Sequence, residues 1–320
     1  MQPSPRRCEI EGDHRTSETP RTLPPIHRWD RVSHPRGCVH IVHGMSEHGQ
    51  RYARLAGALN EAGFAVWAHD HRGHGVNPVP GVRGHFAAND TENGWQALVR
   101  ETGDVSAEMQ RQFPGVPLFL FAHSMGSFAG QTLLADRPSL YRGAILCGTN
   151  GPPGFQEGLV RAIARVHLLF GARRPASVVA GLVFGDYNRR FKPARTDFDW
   201  LTRDAAEVDK YVADPLCGFS LTSRAWVEFL EGRMLLGTDA HLQRIPKPLP
   251  IHVIAGARDP VGEMSAGVQR LLSVWARAGL TRVSHRFYAD ARHELVSETN
   301  RDEVTRDLIA WIDSVSTPAG

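Results

Sequence analysis

Three side chains, far apart along the chain, have the types and surroundings that nucleophilic acyl chemistry needs. The first is Ser124, in Ala122-His123-Ser124-Met125-Gly126. A serine hydroxyl attacks poorly unless a base removes its proton, and the base works best when a third group orients it. The run Leu118 to Ala122 is continuously apolar, as a central strand would be, and a helical pattern with Leu133 and Leu134 follows. Strand, tight turn carrying serine, then helix is the nucleophile elbow. Such a turn strains the serine backbone and wants small residues at −2 and +2. Gly126 meets this, and Ala122 exceeds glycine by one methyl.

After such an elbow the acid and then the histidine follow along the chain. The strand pattern Ile251 to Ala255 runs into Gly256-Ala257-Arg258-Asp259-Pro260, which puts Asp259 at a strand's C-terminal end, where sites gather in open α/β sheets. The strand ending at Cys147 leads into Gly148-Thr149-Asn150 and offers no carboxylate there. His293, in Ala291-Arg292-His293-Glu294-Leu295, follows a late strand and precedes the last helix. Of the 16 histidines, only His285 also lies beyond Asp259, and it falls within the strand Val283–Tyr288. The triad expected is therefore Ser124, His293 and Asp259. An oxyanion needs backbone N–H donors. Met125, next after the serine, supplies one, and Met45, after His43-Gly44, supplies the other.

These residues need a scaffold, and the apolar periodicity describes one. Cys38 to His43 and Ala65 to His69 are strands, with Tyr52, Leu55, Ala56 and Leu59 at helical spacing between them. Trp95, Leu98, Val99, Thr102, Val105 and Met109 mark a long helix, and Gly143 to Cys147 another strand. Strands alternating with amphipathic helices predict a mostly parallel sheet covered on both faces. Residues 151–240 break this rhythm: they hold no clear strand, and Leu159, Val160, Ile163, Val166, Leu169 and Phe170 form an apolar helical stretch edged by Arg161 and Arg165. The last helix carries Val304, Leu308, Trp311, Ile312 and Val315 on one face, with Asn300 and Glu303 spaced as a capping box.

Composition sets the outer limits. The 320 residues are 42% hydrophobic and 22% charged, with a formal net charge of +3. That suits an ordinary globular chain with a sizeable core and points away from a nucleic-acid partner. Cys8, Cys38, Cys147 and Cys217 match no zinc or redox spacing and suit a reducing compartment. No apolar run of about 18 residues suggests a membrane span. His69, His71, His74 and His85 cluster in sequence, but the chemistry proposed needs no metal, and neither metal nor cofactor is expected.

Taken in order, His43-Gly44-Met45-Ser46-Glu47-His48 with Arg51-Tyr52, Asp70-His71-Arg72-Gly73-His74-Gly75, the elbow, and Arg292-His293-Glu294 with Asn300-Arg301 resemble the monoacylglycerol lipase and lysophospholipase branch of the α/β-hydrolases, also called serine aminopeptidase-like. The likeness spans most of residues 25–315, and Asp214-Pro215-Leu216-Cys217-Gly218-Phe219 is similar to bacterial members. The elbow departs at Ala122 and Ser127, where the family usually has glycine. The resemblance implies an α/β-hydrolase fold: a central, mostly parallel sheet flanked by helices, with a helical cap at residues 151–240. Residues 21–150 and 241–320 would be the core, and residues 1–20 a mobile tail. It implies hydrolysis of monoacylglycerols, lysophospholipids or small acyl esters. The polar residues 1–20, without a signal-peptide core, and the cysteines point to the cytoplasm, and the basic-rimmed helix of the cap is expected to touch a lipid surface transiently at most. Glu47, His48 and Arg51 are expected to brace the oxyanion loop, and Asp70, Arg72 and His74 to be loop structure. Acyl transfer, perhydrolysis and peptide hydrolysis would use the same triad, and a silent binding module would be expected to lack part of it.

Overall fold

A computed structural model describes residues 22–316; the tail expected at 1–20, with Cys8, lies outside the described residues. The chain runs through β1 (Ile26–Trp29), β2 (Gly37–Val42), α1 (Ala53–Glu61), β3 (Phe64–His69), α2 (Gly94–Gln112), β4 (Leu118–His123), α3 (Met125–Asp136) and β5 (Gly143–Cys147). Five helices follow: α4 (Phe155–Leu168), α5 (Ser177–Phe184), α6 (Ala205–Ala213), α7 (Ser223–Leu235) and α8 (Asp239–Leu242). The sheet then resumes with β6 (Ile251–Gly256), α9 (Ala266–Arg277), β7 (Val283–Tyr288) and α10 (Arg301–Ser316).

The seven strands lie in the order β1-β3-β2-β4-β5-β6-β7, and each adjacent pair is parallel except β1 with β3. Every residue of β2, β3, β4, β5 and β6 is buried, which is why these strands read as mostly apolar runs, with His40 and His252 buried inside β2 and β6. The pleat divides their side chains between two cores. From β4, Leu118, Leu120 and Ala122 face the α2–α3 side, while Phe119 and Phe121 face α1 and α10. Helix starts are fixed locally: Asn93 accepts from Gln96 N at α2, Asp204 from Ala206 N at α6, and Thr222 from Ala225 N at α7.

Four details differ from the sequence expectations. Edge strand β1 was not foreseen; it is four residues long and carries His27 and Arg28, so it shows no apolar run. The strand-free stretch holds one isolated antiparallel bridge, Pro175 to Thr222, and the boundary expected at 240 falls inside α8. At α10 the capping box closes differently. Arg203 Nη2 donates to Asn300 Oδ1 (2.9 Å), so Asn300 meets Glu303 through its Nδ2 instead (2.9 Å). Among the described residues no helix is long and apolar enough to cross a membrane.

Candidate active site

The serine turn is built by close packing. Ser124 has φ 51° and ψ −121°, a strained conformation for a residue with a side chain. It survives because α3 starts hard against β2. A Cβ on Gly126 would lie 2.4 Å from the carbonyl oxygens of Val42 and His43, so only glycine fits. The extra methyl of Ala122 is absorbed one turn on: a Cβ at Gly130 would come within 3.1 Å of the Ala122 Cβ. Ser127 is fully buried, and its hydroxyl donates to Ser124 O (2.6 Å).

The structure brings the three expected side chains together. His293 Nε2 lies 2.9 Å from Ser124 Oγ, and His293 Nδ1 lies 3.0 Å from both Asp259 carboxylate oxygens. Asp259 is fully buried and also accepts from Val261 N (2.8 Å). The imidazole has little room to swing. Trp200 sits 5.2 Å away ring to ring, His123 4.7 Å away, and a Cβ on Gly148 would be 2.9 Å from His293 Cε1. Such a chain of hydrogen bonds can take a proton from the serine and stabilise the resulting imidazolium.

Met45 and Met125 flank the serine on the same cavity wall. Met125 opens α3, so its N–H has no intrahelical acceptor. The loop carrying Met45 is held by a buried charge network. Gly44 N (2.6 Å) and Tyr52 OH (3.0 Å) donate to Glu47 Oε1, with His123 Nδ1 3.1 Å away. Arg51 pairs with Glu47 (2.6 Å) and, through two bonds of 2.7 Å, with Glu294. Burial alone would push the Glu47 carboxyl up, but Arg51 and His123 hold it well below the usual carboxylate range. Burial works against charge on His123 too, yet Glu47 raises its pKa above the ordinary histidine value. His48 turns away to Asp214 (2.9 Å).

Asp70 accepts from Gly49 N (2.8 Å) and Val76 N (2.9 Å), and Arg72 pairs with Glu92 and Glu101. Both knit loops. Four histidines form a buried relay: His40 Nε2 to His69 Nδ1 (2.9 Å), His69 Nε2 to His71 Nδ1 (3.1 Å), and His71 N to His43 Nε2 (3.0 Å). Burial lowers the pKa of all four, and those of His40 and His74 to about 3. His85 stands apart and bonds Thr222 Oγ1 (2.8 Å).

Sequence reasoning missed the groups that tie this floor to the helices above. Ser46 Oγ donates to Phe219 O (2.6 Å), while Gly218 N and Tyr211 OH both donate to Ser46 O (3.0 Å each). Tyr211 was not singled out, whereas Ser46, Gly218 and Phe219 lay inside the motifs noted in the sequence without a role of their own. Above Ser124 lies a cavity of about 960 Å³, whose wall includes Phe128, Phe155, Phe184, Trp226, Phe229 and Leu230. Charged side chains also line it, among them Arg233 with Glu157 and Glu263 with Arg270.

A sequence profile of the family described as serine aminopeptidase, S33 matches residues 33–300. The human monoglyceride lipase is 28% identical over 91% of this chain and 87% of its own length. The monoacylglycerol lipase of Mycolicibacterium smegmatis is 27% identical over 89% and 91%. Among solved structures, a highly thermostable carboxyl esterase from Bacillus coagulans, in complex with glycerol, superposes with a TM-score of 0.83 at 28% identity, covering 91% of this chain and 94% of that one. The parallel sheet, the serine turn and a match over most of the chain agree, and the chain belongs to the serine aminopeptidase S33 family of α/β-hydrolases, within which it resembles monoacylglycerol lipases.

Proposed function

We propose that this chain is a carboxylic-ester hydrolase that works through an acyl-enzyme on Ser124. The observation that carries the reading is the unbroken hydrogen-bond chain Ser124–His293–Asp259 on the floor of a largely apolar cavity. The likeness to monoglyceride lipases and a carboxyl esterase supports it. His293 takes the proton from Ser124 Oγ as that oxygen attacks the ester carbonyl. The Met45 and Met125 N–H groups hold the oxyanion. His293 passes its proton to the leaving alcohol, then activates the water that frees the acid. Asp259 keeps the imidazole in the required tautomer throughout.

Monoacylglycerols, lysophospholipids and related small esters fit the cavity's size and apolar walls. The segment α4–α8 serves as the cap over the sheet and its flanking helices. Phe155 (90% exposed), Leu169 (84%) and Phe170 (65%) give the cap an apolar outer surface that would meet a lipid aggregate. One experiment tests the nucleophile. An organophosphonate should label the protein stoichiometrically and stop hydrolysis, and Ser124→Ala should abolish both while leaving the fold intact. Stoichiometric labelling of the variant would place the nucleophile elsewhere.

A further inference from the structure

Most of the cavity wall is apolar, and Arg233 breaks that rule. It lies on α7, is only 4% exposed, and still faces the cavity. Its Nε and Nη2 are both spent on Glu157, with Nη2 also 3.4 Å from Gly151 O. Its guanidinium carbon sits 4.0 Å above the Phe128 ring. Nη1 is fully buried and finds no hydrogen-bond acceptor among the described residues. A buried donor on a charged group without an acceptor is costly, so such atoms commonly mark a place where a ligand completes the bonding.

The position of this donor says which part of a substrate it meets. The leaving oxygen must approach His293 Nε2, beside Trp200. The carbonyl oxygen points to the Met45 and Met125 amides. On the ester-hydrolase reading the acyl chain would run beside Phe128, which follows the serine by one turn of α3, and Arg233 lies on that ring. Electrostatics says what kind of group it takes. Glu157 already balances the guanidinium charge, and Glu263, paired with Arg270, lines the same end of the cavity. A second carboxylate or a phosphate would add negative charge there. An uncharged oxygen would simply accept the free N–H.

We infer that Arg233 Nη1 is a specificity site for an uncharged oxygen, a hydroxyl or carbonyl, carried on the substrate's acyl chain. The inference rests on the ester-hydrolase reading above and narrows its substrate class to oxygenated acyl esters.

The test is a positional series of ethyl monohydroxydodecanoates, with ethyl dodecanoate as parent and the monoethyl ester of dodecanedioic acid as the anionic control. One or two adjacent isomers should exceed the parent in kcat/KM by about tenfold or more, since a site built to bond an oxygen discriminates against the analogue lacking it. The anionic ester should show no such gain. In Arg233→Met combined with Glu157→Gln, which removes both charges and keeps an unbranched side chain over Phe128, the isomer-to-parent ratio should fall to about one. A flat series in the wild-type protein overturns the inference without any variant. So does a ratio that survives in the double variant, or a gain for the anionic ester. No hydrolysis of the parent ester would instead overturn the ester-hydrolase reading, and this inference with it.

Discussion

The floor of the cavity and the helices above it follow opposite rules. On the floor, polar and charged groups are buried and matched to one another. Glu47 alone serves an amide, a phenol and an arginine, with an imidazole within 3.1 Å. On α4 and α5, large apolar side chains stand in the open, among them Phe155, Leu159, Val166, Val178 and Leu182. The first arrangement spends stability on fixing atoms in place, as an oxyanion site requires. The second leaves a surface that water disfavours, of the kind that marks contact with a membrane or another protein. Precision and adaptability are thus segregated into separate layers.

The sharpest way to break that contrast is to disturb the floor with one atom. Asp259→Asn should lower kcat by about 10⁴, because the amide favours the wrong imidazole tautomer. KM should change little. Steady-state kinetics on a soluble ester reads both, and near-normal turnover would move the acid elsewhere. Glu47→Ala should come next. It leaves Arg51, only 14% exposed at its side chain, paired with Glu294 alone and frees the Gly44 amide. Breaking one partner out of a buried pair costs about 3–5 kcal/mol. Denaturant unfolding should show that loss together with reduced kcat, whereas loss of stability with unaltered kcat would separate this network from the oxyanion loop.

Acid should distinguish the layers too. His40, His43, His69, His71 and His74 all have folded pKa values depressed by burial. Below their unfolded value of about 6.5 the unfolded chain binds protons that the folded chain refuses. Stability should therefore be level above that pH and fall steadily as pH drops from about 6.5 toward about 3, where His40 and His74 titrate in the fold. His123, raised instead, adds stability below about 6.5 that is lost as pH rises through its folded value, but it stands against these five and against His85, His241 and His252, which burial also lowers. Urea midpoints that stay constant from pH 7 to pH 5 would show that the histidines are not buried neutral. The smallest effect is expected on the outer surface. Leu169→Glu should leave thermal stability and short-chain ester turnover within error, since surface changes cost within about 0.5 kcal/mol. It should lower activity on monoacylglycerol in vesicles severalfold. Equal activity on both substrates would remove the lipid-contact role.

What was legible in the sequence follows the same division. The serine turn, the strand before it and the helix after it form one continuous stretch from Leu118 to Asp136, so local spacing was enough to single out Ser124. Asp259 and His293 could be found because each sits just past a recognisable strand. Contacts between distant segments were not legible: Ser46 and Phe219, which tie the floor to the helices, and Arg233 and Glu157, which join α7 to α4, meet only after the chain has folded. Neither pair has a spacing that helix or strand geometry would produce. Edge strand β1 escaped for a different reason: with only one antiparallel partner and half-exposed side chains, it carries little apolar signal.

The three hydrogen bonds that meet at Ser46 bear on how this molecule could be rebuilt. Exchanging the α4–α8 segment for that of another family member is an obvious route to a new substrate range. Yet Phe219, Gly218 and Tyr211 belong to that segment, and they position the loop that carries one of the proposed oxyanion donors. A graft spanning all of residues 151–240 would swap the loop's anchors along with the acyl pocket. Chimeras joined after α5 and before α6, with Tyr211 through Phe219 kept from this chain, would vary the pocket wall while the anchors stay native.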